Sequence, residues 1–404
     1  MSNVLFPGQT SGKDNIALVD GNHQMTYGEL QTRVDQLATG LLAGREDLNE
    51  ERIAILIPAS PDYVIALHGI WRAGGIALPL GIASSAAELE YYLSSAGVTR
   101  LIAKHPHPDA VVKICALMNI TLLSVTEVLT GAEPLSQHSV AAALPEVALH
   151  RRAMILFTSG TTGKPKGVVT THNAILAQIK TLVNAWAWCD HDVIPLFLPL
   201  HHVHGIINIL SCALWCGATV HLMPKLDIAG LCARVAARSY SLFMAVPTVY
   251  VKLIRHIADL DSAKKTAVCD GFASMRLTVS GSAACPVNVF TQWEKLTGQV
   301  LLERYGMTEV GMALANPYDG ERRAGYVGQP LPGVTVQLFN DNDTPVDTAS
   351  TPGEIRIKSD QVFLEYWHDA TATRECFRDG WFCTGDIAVI ENGYFRIMGR
   401  AAVD

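Results

Sequence analysis

Hydroxyls, glycines and lysines crowd one stretch of the chain, Thr158-Ser159-Gly160-Thr161-Thr162-Gly163-Lys164-Pro165-Lys166-Gly167. Glycines let the backbone turn sharply and bring its N–H groups close to an anion, while the hydroxyls add donors and the lysines add positive charge. That combination suits the phosphates of a nucleotide. It is not a Walker A loop, because two residues separate Gly160 from Gly163-Lys164 where that pattern has four. An ordinary Ser/Thr/Gly connection is the competing reading. Against it, the apolar run Ala153-Met154-Ile155-Leu156-Phe157 enters the loop as a buried strand, which places the loop at the end of a core element.

The elements that must position such a loop follow from the pattern on either side. Arg52–Pro58 reads as a buried strand, and Ser60-Pro61-Asp62 opens a helix with Ser60 as cap and Pro61 at its first position. Further strand and helix pairs follow: Val193–Leu198 with Ile206–Trp215, Thr219–Met223 with Asp227–Arg238, Leu242–Val246 with Thr248–Ala258, and Arg276–Ser280 with Pro286–Thr297. This alternation predicts an α/β fold of helix-flanked, mostly parallel sheets. Thr126–Val147 breaks it and reads as a surface linker. After about Gly325 the texture changes to short strands and turns, with Glu391-Asn392-Gly393 as a hairpin signal, which predicts a small β-rich, barrel-like subdomain. The expected division is therefore residues 1–150, 151–325 and 326–404.

With 404 residues, 49% of them hydrophobic, the chain can bury a large core. Charged residues are 17% and the net charge is −7, with no Lys/Arg-rich patch, so nucleic acid is not an expected partner. The first residues lack both a charged, apolar secretory signal and an Arg-rich transit segment, and no run of about 18 apolar residues occurs. The nine cysteines are odd in number and irregularly spaced, which predicts free thiols in a reducing, cytoplasmic setting. Cys212, Cys216 and His221 approach a metal spacing but interleave with apolar residues, as core packing does.

The loop resembles the phosphate-loop signature of the acyl-adenylate-forming superfamily, which includes acyl-CoA synthetases, luciferases and peptide-synthetase adenylation domains. Further matches follow in that family's order: Ser280-Gly281-Ser282-Ala283, Tyr305-Gly306-Met307-Thr308-Glu309, Trp381-Phe382-Cys383-Thr384-Gly385-Asp386, and a hinge-like Ile397-Met398-Gly399-Arg400. The family's smaller C-terminal domain follows that hinge. The resemblance therefore implies its larger, N-terminal part, able to bind nucleotide and acid but slow to make thioester without the second domain.

The resemblance also implies roles. Thr158, Ser159, Gly160, Thr161, Thr162, Gly163, Lys164 and Lys166 would embrace the β- and γ-phosphates of ATP. Glu309, with the Thr162 hydroxyl, would hold Mg2+, and Thr308 would lie near the α-phosphate. Ser282, Ala283 and Ala284 would face the segment Glu303-Arg304-Tyr305, with Gly306 and Met307, across the adenine, and Met307 would also contact the acid. Asp386 would accept the ribose hydroxyls, assisted by Arg400. Such a division suits adenylation, in which a carboxylate attacks an already anionic phosphate and charge accumulates as pyrophosphate leaves. Of His201-His202-Val203-His204, His202 matches a histidine beside the acyl carboxylate, with His204 nearby. Adjacent histidines diverge on a regular element, which argues against a metal pair.

Arg304 points to the acid. Many relatives carry glycine there, and a guanidinium beside the acyl site favours a second carboxylate held by charge-assisted hydrogen bonds. A structural ion pair with Glu303 or another acid is the alternative. The wording of Trp186-Ala187-Trp188, Leu198–Gly205, Met244–Thr248 and Leu301–Glu309 is similar to that of malonyl-CoA synthetases. This implies ATP-dependent activation of malonate, or methylmalonate, and transfer to CoA. A non-catalytic nucleotide-binding domain, and transfer to a carrier-protein thiol, are the other readings.

Overall fold

The computed structural model describes residues 12–131, 143–158, 163–346 and 350–400. They form two compact units, each assembled from separated stretches: Met1–Leu176, Leu196–Pro224 and Phe363–Ala370 in the first, and Ala177–Pro195, Lys225–Val362 and Thr371–Asp404 in the second.

The first unit is built on a seven-stranded sheet in the order Glu365–Tyr366, Lys166–Thr171, Arg152–Thr158, Ile76–Pro79, Arg52–Leu56, Arg100–Ala103, Thr121–Leu123. From Arg152–Thr158 to Thr121–Leu123 every pairing is parallel. Parallel neighbours need crossover helices, and strands covered on both faces are apolar throughout. Ile53, Ala54, Ile55, Ala77 and Leu78 are accordingly fully buried. The crossover helix Ala86–Ala96 starts at a Ser85/Glu88 capping box and packs Leu89 and Leu93 onto the sheet core. Helix Pro61–Arg72 begins as expected at Pro61, but the Ser60 hydroxyl donates to Pro58 O at 2.9 Å instead of capping the helix. A smaller sheet pairs Ile16–Asp20 in parallel with Thr219–Leu222 and antiparallel with His23–Thr26.

Two expectations fail here. Within the presumed linker Thr126–Val147, the helix Val125–Thr130 forms on a Ser124/Glu127 capping box, a start signal that the linker reading passed over; residues 132–142 lie outside the described residues. The expected helix Ile206–Trp215 is a π-helix over His204–Ser211 that continues as the α-helix Cys212–Cys216. The Ser211 hydroxyl, donating to Ile206 O at 2.7 Å, braces this wider turn. Short π segments gather at functional sites.

In the second unit, Leu242–Ala245, Leu277–Ser280 and Leu302–Met307 run parallel, and Gly311–Ala315 and Gln329–Pro330 extend the sheet antiparallel. Helices Pro247–Ala258 and Val287–Thr297 follow their strands as the pattern predicts. Phe243, Tyr250, Phe272 and Trp293 interlock edge to face with centroids 4.6–5.8 Å apart. The β-rich part is an antiparallel sheet of Thr335–Phe339, Gly353–Lys358, Trp381–Glu391, Phe377–Arg378 and Tyr394–Arg400. Its Asn392-Gly393 turn has φ of 52° and 80°, as a two-residue hairpin of this hand requires. Among the described residues no helix is long and apolar enough to cross a membrane.

Candidate active site

In the second unit, the parallel strands Leu277–Ser280 and Leu302–Met307 end side by side, with Ser280 in register with Glu303. The carboxyl ends of parallel strands are where α/β sheets present ligand sites. A cavity of about 260 Å³ opens there, lined by the expected Ser282, Ala283, Ala284, Glu303, Arg304, Tyr305, Gly306 and Asp386. Two glycines make its walls possible. A Cβ on Gly281 would lie 2.4 Å from both Cζ and Nε of Arg304, so the bare backbone leaves the guanidinium its place. A Cβ on Gly306 would lie 2.0 Å from the Gly311 carbonyl across the hairpin. Ser282 adopts φ 66°, a left-handed conformation that a serine rarely holds outside constrained sites.

Glu303 and Arg304 are adjacent on one strand and so face opposite ways. The Glu303 carboxylate accepts N–H bonds from Cys285 (3.1 Å) and Gly325 (3.0 Å). Burial nevertheless raises its pKa to about 7, against the pull of those two donors. Arg304 is buried and, among the described residues, makes one hydrogen bond, from an Nη to Ser282 Oγ at 3.3 Å, while its Nε has no partner. No carboxylate among the described residues pairs with it, and burial lowers its pKa to about 9. The ion pair with Glu303 does not form. A desolvated cation without a counter-ion is an unfavourable arrangement unless an anion arrives to complete it.

Across the cavity, Asp386 stands opposite Arg400 in the antiparallel register. Its Oδ1 accepts from Arg400 Nε at 2.9 Å and its Oδ2 from the Tyr305 hydroxyl at 2.5 Å. Burial, then the neighbouring Asp386, pushes the Tyr305 phenol well above its usual value, so it remains a donor. A carboxylate has about four lone-pair positions, so Asp386 keeps capacity for a diol. Met307 pairs with Gly311 to close the hairpin, and Thr308 and the buried Glu309 lie in its turn.

The first unit holds the remaining candidates. Thr158 pairs with Lys166 at the mouth of an antiparallel hairpin. Ser159, Gly160, Thr161 and Thr162 lie outside the described residues. Gly163 and Lys164 are exposed. Lys164 Nζ sits 5.6 Å from the Tyr91 ring centroid and Lys166 Nζ 5.0 Å from that of Tyr366, and the Tyr91 hydroxyl donates to Pro165 O at 2.8 Å. The aromatic faces hold two ammonium groups without neutralising them. The His201 and His202 rings lie 4.1 Å apart. Burial, then His202, lowers His201 to about 4, and burial lowers His202 as well, so both are neutral at pH 7. His204 is buried at the start of the π-helix.

Sequence reasoning missed the aromatic supports Tyr91 and Tyr366, which carry no local motif. It also gave no site role to Cys285, Gly325 and Val327, nor to Ser280 and Ile397, which it named only within motifs; these five complete the cavity lining. The positive φ of Gly325 and Gly328 makes that stretch a turn, and the paired glycines were its one visible signal.

A profile of the family described as AMP-binding enzyme matches residues 8–367. Malonate–CoA ligase ACSF3, mitochondrial, from Homo sapiens is 38% identical over 428 residues, spanning 97% of this chain and 73% of that protein. ATP-bound MatB from Rhodopseudomonas palustris superposes with TM-score 0.86 at 30% identity, covering 98% of this chain and 78% of that one. A malonyl-CoA ligase ternary product complex, with methylmalonyl-CoA and AMP bound, gives TM-score 0.83 at 32% identity, covering 100% of this chain and 82% of that one.

Proposed function

The chain belongs to the AMP-binding enzyme family, and from that premise we propose that it ligates a small dicarboxylic acid, malonate or methylmalonate, to CoA through an acyl-adenylate. One carboxylate oxygen of the acid attacks the α-phosphorus of ATP, the bond to the bridging oxygen breaks, and pyrophosphate leaves. The CoA thiolate then attacks the acyl carbon and AMP departs. Two acid–CoA ligases named for malonate, at 38% and 34% identity, support this chemistry.

The observation that carries the substrate class is Arg304, a buried guanidinium with no carboxylate partner among the described residues. A monocarboxylic acid spends its only carboxylate on the phosphorus and leaves this cation unpaired. A dicarboxylic acid has a second one to give it. Asp386, oriented by Tyr305 and Arg400, is assigned the ribose, and Ser282–Ala284 with Tyr305 and Gly306 the adenine. Thr158–Lys166 takes the β- and γ-phosphates, Thr308 approaches the α-phosphate, and neutral His202 orients the acyl carboxylate, with His204 assigned to the same acid.

The donors assigned to magnesium fit it: Glu309 is a buried carboxylate and Thr162 a hydroxyl, both hard oxygen ligands. When bound, the ion neutralises charge on the phosphates. Nine free thiols agree with a reducing compartment. The cytoplasm is the proposed one, and fractionation would distinguish it from the mitochondrion that the human relative's name specifies.

The test is ATP-dependent pyrophosphate release and thioester formation by the purified protein with malonate, methylmalonate, succinate, acetate and butyrate. Malonate should lead and acetate trail. Equal use of acetate and malonate would refute the substrate class, and no pyrophosphate release with any acid would refute the ligase reading.

A further inference from the structure

Two parallel neighbours at the edge of the seven-stranded sheet, Arg100–Ala103 and Thr121–Leu123, deliver their following turns to the same end of the sheet. The first turn carries His105 and His107, ahead of the helix Asp109–Met118. The second leads into helix Val125–Thr130, whose first turn holds Glu127. We propose that His105, His107 and Glu127 form a three-ligand site for a divalent transition metal, zinc by its donor chemistry, which latches these two turns together.

One ligand atom from each of the three residues lies within 4.8 Å of the other two. His107 Nε2 and Glu127 Oε2 are 3.8 Å apart, beyond a hydrogen bond. Two ligands about 2.1 Å from a tetrahedral ion lie about 3.4 Å from each other, so the gap needs only a small closure to span a cation. The second ring nitrogen of His107, Nδ1, is buried and without a hydrogen-bond partner among the described residues. An imidazole with Nδ1 unpartnered and Nε2 facing the Glu127 carboxylate across a gap too wide for a hydrogen bond is an unexplained polar group, and a metal would account for it. The His105 and His107 rings meet edge to face with centroids 5.3 Å apart.

The third ligand is held in place. Glu127 Oε2 accepts the Ser124 N–H at 2.6 Å as the return arm of the capping box, so the carboxylate is oriented before any metal binds. Pro106 and Pro108 flank His107 and restrict the backbone that carries both histidines. Two imidazoles and one carboxylate select zinc over magnesium or calcium, leaving a fourth position for water. This donor set shares no residue with those assigned to the ligase reaction. The proposal therefore stands whether or not the substrate assignment does.

The test uses the purified, chelator-treated protein, with zinc titrated calorimetrically and cobalt used as a spectroscopic substitute. The wild type should bind one equivalent with a gain in Tm. His107→Ala, His105→Ala and Glu127→Gln should each weaken zinc binding at least about tenfold. The Gln variant can still cap the helix, and His105 is exposed, so these two keep the test valid if His107→Ala fails to fold. Pyrophosphate release should be unchanged in all three. Failure of the wild type to bind zinc, or binding as tight in the variants as in the wild type, would overturn the proposal.

Discussion

The molecule presents positive charge in two ways. In the first unit, Lys164 and Lys166 extend from a hairpin mouth, held over tyrosine faces, with Lys164 exposed to water. In the second unit, Arg304 is buried against the glycine backbone at Gly281 and has one weak partner among the described residues. The lysines are compact, hydrated charges on flexible stems, suited to a polyanion whose position is fixed elsewhere. The guanidinium has already lost its water, so whatever completes it must match its shape and charge. Under the proposed reading the contrast separates two tasks, gripping phosphates and choosing the acid.

The comparison breaks most visibly at the lysines. Replacing both, Lys164→Ala with Lys166→Ala, should lower kcat for pyrophosphate release by about a thousandfold with every acid alike, because the lost stabilisation lies on the phosphates. A loss confined to malonate would reverse the assigned roles. The next effect belongs to the buried cation. Gly281→Ala places a methyl 2.4 Å from the guanidinium, whose flexible stem must yield. Malonate kcat/KM should fall about thirtyfold or more while AMP affinity, measured by calorimetry, changes less than about threefold.

A third effect tests how dry the second unit's cavity is. Glu303 is raised from 4.5 to about 7 by burial, so the folded protein retains a proton that the unfolded chain releases. Stability should therefore decline from about pH 4.5 through pH 7, by about 3 kcal/mol in total, and then level off. Glu303→Gln should flatten that part of a Tm-against-pH curve. An unchanged slope would mean that the carboxylate is hydrated. The smallest effect sharpens the contrast directly. Raising ionic strength from about 0.05 to about 0.5 M should raise the KM for ATP severalfold through exposed Lys164 and half-buried Lys166, with the malonate-to-acetate preference unmoved.

Much of this was legible in the chain. The β–α alternation predicts the parallel strands and their helices to within a few residues, because fully covered strands must be apolar and their helices amphipathic. The Asn392-Gly393 turn and the Pro61 helix start are equally plain, since each depends on a local backbone preference. Helix Ser262–Ala273 was not legible: Ser262-Ala263-Lys264-Lys265 carries no apolar stripe, and only Val268, Gly271 and Phe272 are buried. The π-helix at His204–Ser211 was hidden because it is buried throughout, polar His204, Asn208 and Ser211 included, which erases the period that separates helix types. Boundaries at residues 150 and 325 mark changes of sequence texture, whereas the compact units interleave, and long-range returns such as Phe363–Ala370 leave no local trace. At the site, motifs singled out Ser282, Tyr305 and Asp386, but the isolation of Arg304 emerges only from where Glu303 sends its carboxylate.

The central claim is that the buried Arg304 guanidinium selects the second carboxylate of the acid, and Arg304→Gln tests it most directly. With malonate and acetate compared side by side, pyrophosphate release driven by malonate should fall about a hundredfold or more, release driven by acetate should stay within a few-fold, and ATP affinity should hold. Equal losses with the two acids, or no loss with malonate, would contradict the account.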